Sequence, residues 1–316
     1  MTVAMPTVGV MPEARVTAGD RSCRVREGNM IRVVIVVLLA LFAATANAQA
    51  PRRVMSINLC TDQLALMLLP RERIASVSWL ARDPALSAMA REAMAVPVNH
   101  GSSEEVLRAR PDIVLAGTYT TRATVETLRA LGAPLVEIAP TENWADIRRA
   151  TREVGDALGE RAKADAALAR MDATLARLAA EAPAQRPLVA FWSGPGMAPG
   201  AGTLSDAVVE AAGARNLARE LGIVGFGALD AERLIASSPD LLITAEATPA
   251  PSLRREAASH PAIRNRWRGR MISVPEALTS CGGPFTADAA VQLRAEMNRV
   301  GLNAARTAPN YPERRQ

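Results

Sequence analysis

The chain of 316 residues is long enough for about two domains, and its hydrophobic share of 49% can build sizeable cores. Its formal net charge is +5, and only 3% of its residues are aromatic. Because basic residues form no run and do not interleave with aromatic ones, we do not expect nucleic acid as a partner.

Residues Met30 to Ala48 have the features of a secretory signal peptide. A charged start is followed by an apolar stretch from Val33 to Phe42 and by an Ala-x-Ala end. The stretch is too short to span a membrane comfortably. Cleavage after Ala48 would release a periplasmic protein that begins at Gln49, where the lack of a cysteine argues against a lipid anchor. Residues 1–29 are expected to be a non-native extension, with Met30 as the true start.

From Arg53 onward, short apolar runs alternate with helix signals. This alternation predicts an α/β protein with parallel sheets covered by helices. The first set of predicted strands is Arg53 to Ile57, Ile74 to Ser78, Ala95 to Val98, Ile113 to Ala116 and Leu135 to Ile138. The second set is Leu188 to Trp192, Leu241 to Thr244 and Met271 to Val274.

An internal repeat links the two sets. Glu104 to Ala116 and Glu232 to Thr244 share a glutamate, an apolar pair, Pro-Asp and an apolar run at matching spacing. A capping residue begins each predicted helix, and the proline ends it, because the residue before a proline is pushed out of the α region. The repeat therefore predicts two similar lobes.

The repeat places Glu104 and Glu232 at the second position of their helices. There, each carboxylate can simply complement the positive end of the helix dipole. A role in contacting a partner is the alternative, and the residues alone do not decide between the two.

A segment without strand signals separates the lobes. Gly159 divides it into two helices, of which the second, Glu160 to Ala180, would be about 30 Å long. We interpret it as a rigid strut, with an ordinary packing helix as the alternative. The expected divisions are an N-terminal lobe (49–141), a helical segment (142–182), a C-terminal lobe (183–305) and a tail (306–316).

In open α/β sheets, ligands bind beyond the carboxyl ends of the strands. Between the two lobes this rule predicts a mostly apolar cleft, which is typical of small-molecule sites. The expected lining is aromatic at Trp79, Tyr119, Trp192 and Phe226 and polar at Asn58, Arg82 and His100. The glycine- and proline-rich stretch Ser193 to Gly202 is interpreted as a loop that does not match a nucleotide-binding fingerprint.

Two cysteines, Cys60 and Cys281, remain in the mature chain. In an oxidising compartment they can form a disulfide, although two buried thiols are an alternative. A metal site is the least favoured reading, because two cysteines are too few ligands for zinc.

These features together resemble the periplasmic cobalamin and iron-siderophore binding proteins of ABC importers. The resemblance rests on the signal peptide, the stretch Asn58-Leu59-Cys60-Thr61-Asp62, the paired Glu-x6-Pro-Asp elements and the long central helix. It implies two lobes joined by one rigid helix, a metal chelate held between them, no resident cofactor and a monomer. It also implies that Glu104 and Glu232 dock on arginines of a membrane permease.

The chain departs from the cobalamin binder of that family, in which the cleft is rich in tryptophan. Val98 and Gly117 stand at two of those aromatic positions, while Phe226 keeps a third. A ferric siderophore, cobalamin or haem therefore all stay open as ligands. His100 is an axial metal ligand in one interpretation and only a hydrogen-bonding group in the other.

The alternative from another class is a periplasmic enzyme. Cys60 would be its nucleophile and His100 its base, with Asp62 available to orient the histidine. A disulfide between the two cysteines would silence this chemistry.

Overall fold

The computed structural model of the chain describes residues 50–244, Glu256 and residues 260–302. The expected N-terminal extension, the signal peptide at Met30 to Ala48 and the tail from Arg306 lie outside the described residues. Within these described ranges, no helix has the length and apolar character needed to cross a membrane.

The first lobe is a five-stranded parallel sheet with helices on its faces, as predicted. Its strand order is β3-β2-β1-β4-β5. The strands are β1 (Val54–Ser56), β2 (Ile74–Ser78), β3 (Val98–Asn99), β4 (Ile113–Gly117) and β5 (Leu135–Ile138). The helices are α1 (Leu59–Leu68), α2 (Ala90–Ala93), α3 (Ser103–Ala109) and α4 (Arg122–Ala130). Every residue of β1 and β4 is buried, which explains why these strands are not polar at alternate positions.

The second lobe has a four-stranded parallel sheet and a separate two-stranded sheet. Its strands are β6 (Leu188–Phe191), β7 (Gly196–Pro199), β8 (Arg215–Asn216), β9 (Phe226–Leu229), β10 (Leu241–Thr244) and β11 (Met271–Ser273). Its described helices are α7 (Leu204–Ala211), α8 (Leu217–Glu220), α9 (Ala231–Ser237), α10 (Pro261–Arg266) and α11 (Thr286–Arg299). The parallel order β11-β10-β6-β8 matches β5-β4-β1-β2 of the first lobe, so the two lobes share one topology.

The repeat forms the same structure twice. Ser102 caps α3 in a capping box with Glu105, and Asp230 caps α9. Each helix ends in a left-handed residue directly before the proline, at Arg110 and Ser238. The proline therefore ends the helix as predicted, through a left-handed backbone instead of an extended one.

The Pro-Asp pair that follows each helix ties two strands together. The carboxylate of Asp112 accepts the backbone N–H groups of Arg52 and Arg53 at 2.8 and 2.9 Å, just before β1. The carboxylate of Asp240 accepts the N–H of Leu188 at 2.9 Å, at the start of β6. Each aspartate also donates its own N–H to the neighbouring strand, so the repeat sets the register of β4 on β1 and of β10 on β6.

One predicted loop is partly a strand. β7, within Ser193 to Gly202, pairs antiparallel with β9. The loop prediction was wrong because glycine and proline are rare in strands, and the pairing partner is distant in sequence.

Two consecutive helices connect the lobes, α5 (Trp144–Leu158) and α6 (Arg161–Ala180). Gly159 lies between them with φ 69°, as its predicted dividing role requires. The Cβ of Ala164 would come within 2.6 Å of a Cβ added at Gly155, so the glycine lets the two helices approach closely. Ala164 packs into the core of the first lobe and Leu178 into the core of the second. The two ends of α6 thus belong to different cores.

Arginines anchor α6 at both ends. Arg73 of the first lobe donates to the carboxylate of Glu160 at 2.5 Å and to the carbonyl of Leu158 at 2.6 Å. Arg294 of the second lobe donates to the carbonyl oxygens of Ala212 and Glu181 at 2.5 and 2.6 Å. The expected divisions at 141/142 and 182/183 fall in the connections that flank this helical pair.

Candidate functional site

A cavity of about 220 Å³ lies between the two lobes. Asn58, Tyr119 and Thr141 line it from the first lobe, and Phe226 and Ser280 line it from the second. The first-lobe residues follow β1, β4 and β5, at the carboxyl ends where open α/β sheets bind ligands.

A second cavity of about 470 Å³ lies on the second-lobe side. It shares Ser205, Phe226, Thr279 and Ser280 with the first cavity. The two cavities therefore adjoin, and together they reach the size range of small-molecule sites.

Two exposed aromatic side chains line the cavity from opposite lobes. Tyr119 is 80% exposed and Phe226 is 63% exposed. Large aromatic rings left in water are available for an apolar or flat ligand to cover. Both residues were predicted to line the cleft, and the structure places them there.

Asn58 also lines the cavity, but its side chain has a structural task. Its amide oxygen accepts the backbone N–H of Cys60 at 3.0 Å and so caps α1. A Cβ added at Gly117 would lie 2.8 Å from this side chain. The cavity wall therefore has no room for an aromatic side chain at Gly117 while Asn58 keeps this position.

The structure contradicts two predicted cleft residues. Trp192 is 1% exposed and packs inside the core of the second lobe, whereas its neighbour Phe191 lines the larger cavity. Adjacent residues of an extended chain point to opposite faces, and the sequence pattern did not show which of the two faces the cleft. The guanidinium of Arg82 donates to the carbonyl oxygens of Val96 and Ala93 at 2.7 and 3.3 Å, and Arg82 lines neither cavity.

Trp79 and His100 follow β2 and β3, on the edge of the sheet away from β4, and line neither cavity. Trp79 is 53% exposed. The Nδ1 atom of His100 lies 3.4 Å from Oε1 of Glu105, whose other oxygen accepts the N–H of His100 at 2.9 Å. Both side chains are thus placed to meet only a ligand that extends beyond the cavity.

A disulfide joins the lobes at the cavity. Cys60, in α1, and Cys281, between β11 and α11, form an S–S bond and both line the cavity. Thr141 and Gly282 make a second link, because the N–H of Gly282 donates to the Thr141 hydroxyl at 2.9 Å. The disulfide contradicts the alternative of a Cys60 nucleophile with His100 as base, since neither sulfur is a free thiolate. Among the described residues, no cluster of His, Cys, Asp or Glu could hold a metal ion.

A buried polar network surrounds Asp62, which follows Cys60 by two residues in α1. Asp62 is fully buried, and its carboxylate accepts the N–H of Ser78 at 3.1 Å and the Ser78 hydroxyl. Burial raises the pKa of Asp62 to about 7, against the lowering effect of hydrogen bonds from Ser56 and Ser78. The side-chain amide of Asn99 in β3 donates to the backbone carbonyl of Ser56 in β1 at 2.9 Å and to the hydroxyl of Ser76 in β2 at 2.8 Å, so it connects these three strands.

Sequence reasoning missed one stretch of the cavity wall, Ala139 to Glu142. It directly follows the predicted strand Leu135 to Ile138, so the rule that selected the other loops would have found it. Val208 and Leu293, which line the larger cavity, could not be found by this rule, because they lie within helices and not in loops that follow strands.

Glu104 and Glu232 occupy equivalent places in the two lobes. Each is the second residue of its helix, α3 or α9, and each is exposed. They therefore present carboxylates from matching positions of both lobes.

Two lobes of one topology, connected by a helical pair and enclosing a cavity, define a two-lobed small-molecule binding protein. The chain belongs to the periplasmic binding protein family, whose sequence profile matches residues 54–262. The family and its structural neighbours are binding proteins.

Similar proteins span most of the described chain. A cobalamin-binding protein of Halobacterium salinarum is 25% identical over 250 residues, which cover 77% of this chain and 65% of that protein. The chain thus spans about two thirds, 65%, of the length of the curated relatives it matches. The periplasmic haem-binding protein RhuT from a Roseiflexus species is 25% identical, with a TM-score of 0.64 over 79% of this chain and 98% of that one. The vitamin B12-binding protein BtuF of Vibrio cholerae has the same fold, at 16% identity and a TM-score of 0.60 over 79% of this chain and 98% of that one.

Proposed function

We propose that the chain is the substrate-binding component of an ABC importer. In this proposal it captures a metal chelate, such as a ferric siderophore, cobalamin or haem, in the periplasm and delivers it to a membrane permease. The observation that carries the proposal is the cavity between the lobes, with Tyr119 and Phe226 exposed on opposite walls. Similar proteins that bind cobalamin or haem support the choice of a metal chelate.

In the proposed complex the ligand lies between the two exposed rings, and Asn58 borders it. Because a metal chelate of this kind is larger than the smaller cavity, it also occupies the adjoining one and extends toward Trp79 and His100. The secreted chain acts in the periplasm as a monomer. The lobes and the helical segment have the boundaries expected from the sequence.

Binding of the chelate is tested by titration of the mature chain. Cobalamin, haem and ferric siderophores are added while the intrinsic tryptophan fluorescence is recorded. At least one of them should quench the fluorescence with a saturable curve. Tyr119→Ala and Phe226→Ala should each weaken that ligand, because each removes one of the two aromatic walls. A lack of saturable quenching by every chelate would contradict the proposed function.

We further propose that Glu104 and Glu232 dock on basic residues of the permease. Their exposed, equivalent positions on the two lobes support this role, because one partner could then contact both lobes at once. The double variant Glu104→Arg with Glu232→Arg should abolish chelate uptake by cells and leave the affinity for the chelate unchanged. A loss of affinity in the purified variant would instead assign these residues to the cleft or to folding.

A further inference from the structure

The charge around the two cavities differs from that of the chain as a whole. The chain has 37 lysines and arginines against 32 aspartates and glutamates. Among the described residues, however, no arginine, lysine or histidine lines either cavity. The charged residues found in the two linings are Glu142, in the connection between β5 and α5, and Glu276 of the second lobe. A ligand in this site therefore meets negative charge from both sides.

Both carboxylates are available to a ligand. Glu142 and Glu276 are exposed, and within the described ranges neither side chain has an ion-pair or hydrogen-bond partner. Asp146, four residues after Glu142, is instead neutralised by Arg149. Within the described ranges, Glu142 and Glu276 thus keep charge that no ion pair compensates, unlike Asp146.

The remaining polar groups of the lining are uncharged. Among the described residues they are the amide of Asn58, the phenol of Tyr119 and the hydroxyl groups of Thr61, Thr118, Thr141, Ser193, Thr203, Ser205, Thr244, Thr279 and Ser280. Hydroxyls can donate to or accept from the amide and hydroxamate groups of a ligand. A carboxylate or catecholate group would instead be desolvated beside glutamates, and none of the described lining residues is a cation that compensates it.

We propose that this cavity selects metal chelates of zero or positive net charge, and that Glu142 and Glu276 are the residues that reject anionic ones. Two kinds of chelate have the required chemistry, an amide-bearing corrinoid and a hydroxamate siderophore. The inference rests on the proposed function and narrows its ligand class.

Pairs of ligands whose members differ in net charge test this selection. The pairs are cyanocobalamin and its monocarboxylic acid derivative, ferrioxamine B and a ferric tris-catecholate, and haem dimethyl ester and haem. Each ligand is titrated calorimetrically into the mature chain. In at least one pair, the uncharged or cationic member should bind at least about tenfold more tightly, and the pair that responds identifies the corrinoid or hydroxamate class. Tighter or equal binding of the anionic members would overturn the inference and leave the proposed function standing. No binding by any ligand would overturn both.

Variants then assign the selection to the two glutamates. Glu142→Gln with Glu276→Gln should reduce the preference for the less anionic member about three- to tenfold for each carboxylate removed. Glu126→Gln with Glu220→Gln is the matched control, because it removes the same formal charge from exposed residues that line neither cavity. The control should keep the wild-type preference. An equal loss of preference in both double variants would show a net-charge effect and overturn the assignment to Glu142 and Glu276.

Discussion

Replacing Asp62 by asparagine should remove much of the pH dependence of the protein's stability. Asp62 is 0% exposed, and its folded-state pKa is about 7 against an ordinary value of 3.8. Asparagine keeps an oxygen that can accept the N–H of Ser78, and its amide can donate to the Ser78 hydroxyl. The variant therefore preserves the packing and the hydrogen bonds while removing the titration.

The direction in which stability changes with pH follows from the raised pKa of Asp62. The folded protein binds the Asp62 proton more tightly than the unfolded chain, so this group stabilises the fold fully below about pH 4. That contribution is lost as the pH rises from about 4 to about 7. At about 1.36 kcal/mol per pKa unit, the loss amounts to about 4 kcal/mol by neutral pH.

Urea unfolding at several pH values between about 4 and 8 measures the effect. The free energy of unfolding of Asp62→Asn, relative to the wild type, should rise across this interval by up to about 4 kcal/mol. Asp165→Asn is the control, since Asp165 is exposed and ion pairs with Arg152 and Arg161 lower its pKa, so it stays charged over the same interval. A difference between Asp62→Asn and wild type that stays constant with pH would refute the reasoning.

Two further predictions concern the links between the lobes. Cys60→Ser with Cys281→Ser should lower the free energy of unfolding by about 2 to 5 kcal/mol, because the disulfide closes a separation of 221 residues; unchanged urea midpoints would contradict this. Gly282→Ala should cost about 1 to 3 kcal/mol in a thermal unfolding experiment, because the new Cβ would lie 2.7 Å from the Cβ of Thr141. Gly132→Ala is the control, because a Cβ added there meets no heavy atom within 4 Å. Since the φ of Gly132 is +70°, this variant should lose only about 1 to 2 kcal/mol of stability through backbone strain. Equal stability of Gly282→Ala and wild type would show that Thr141 can shift away from the new Cβ without a loss of stability.

The two-lobed fold could be predicted because its signals are local and occur twice. Ser102 and Asp230 begin equivalent helices, and Pro111 and Pro239 end them before buried strands. The pairing of β7 with β9 could not be predicted, because it depends on contacts between distant segments rich in glycine.

The candidate site was predictable only to the level of loops. The rule that ligands bind at the carboxyl ends of strands led to Tyr119 and Phe226, both of which line the cavity. The same rule does not say which side chain of a loop faces the cavity, and so it selected the buried Trp192. It also does not show that the guanidinium of Arg82 donates hydrogen bonds to the backbone carbonyls of Ala93 and Val96.

Native mass spectrometry with metal analysis tests the central claim most directly. The full chain is expressed, recovered from the periplasm of cells supplied with cobalamin, haem and ferric siderophores, and measured beside Phe226→Ala. We expect one chelate per wild-type chain, with its metal in equal amount, and a lower occupancy in the variant. Recovery of the wild-type chain free of any chelate, or with equal occupancy in the variant, would contradict binding between the lobes.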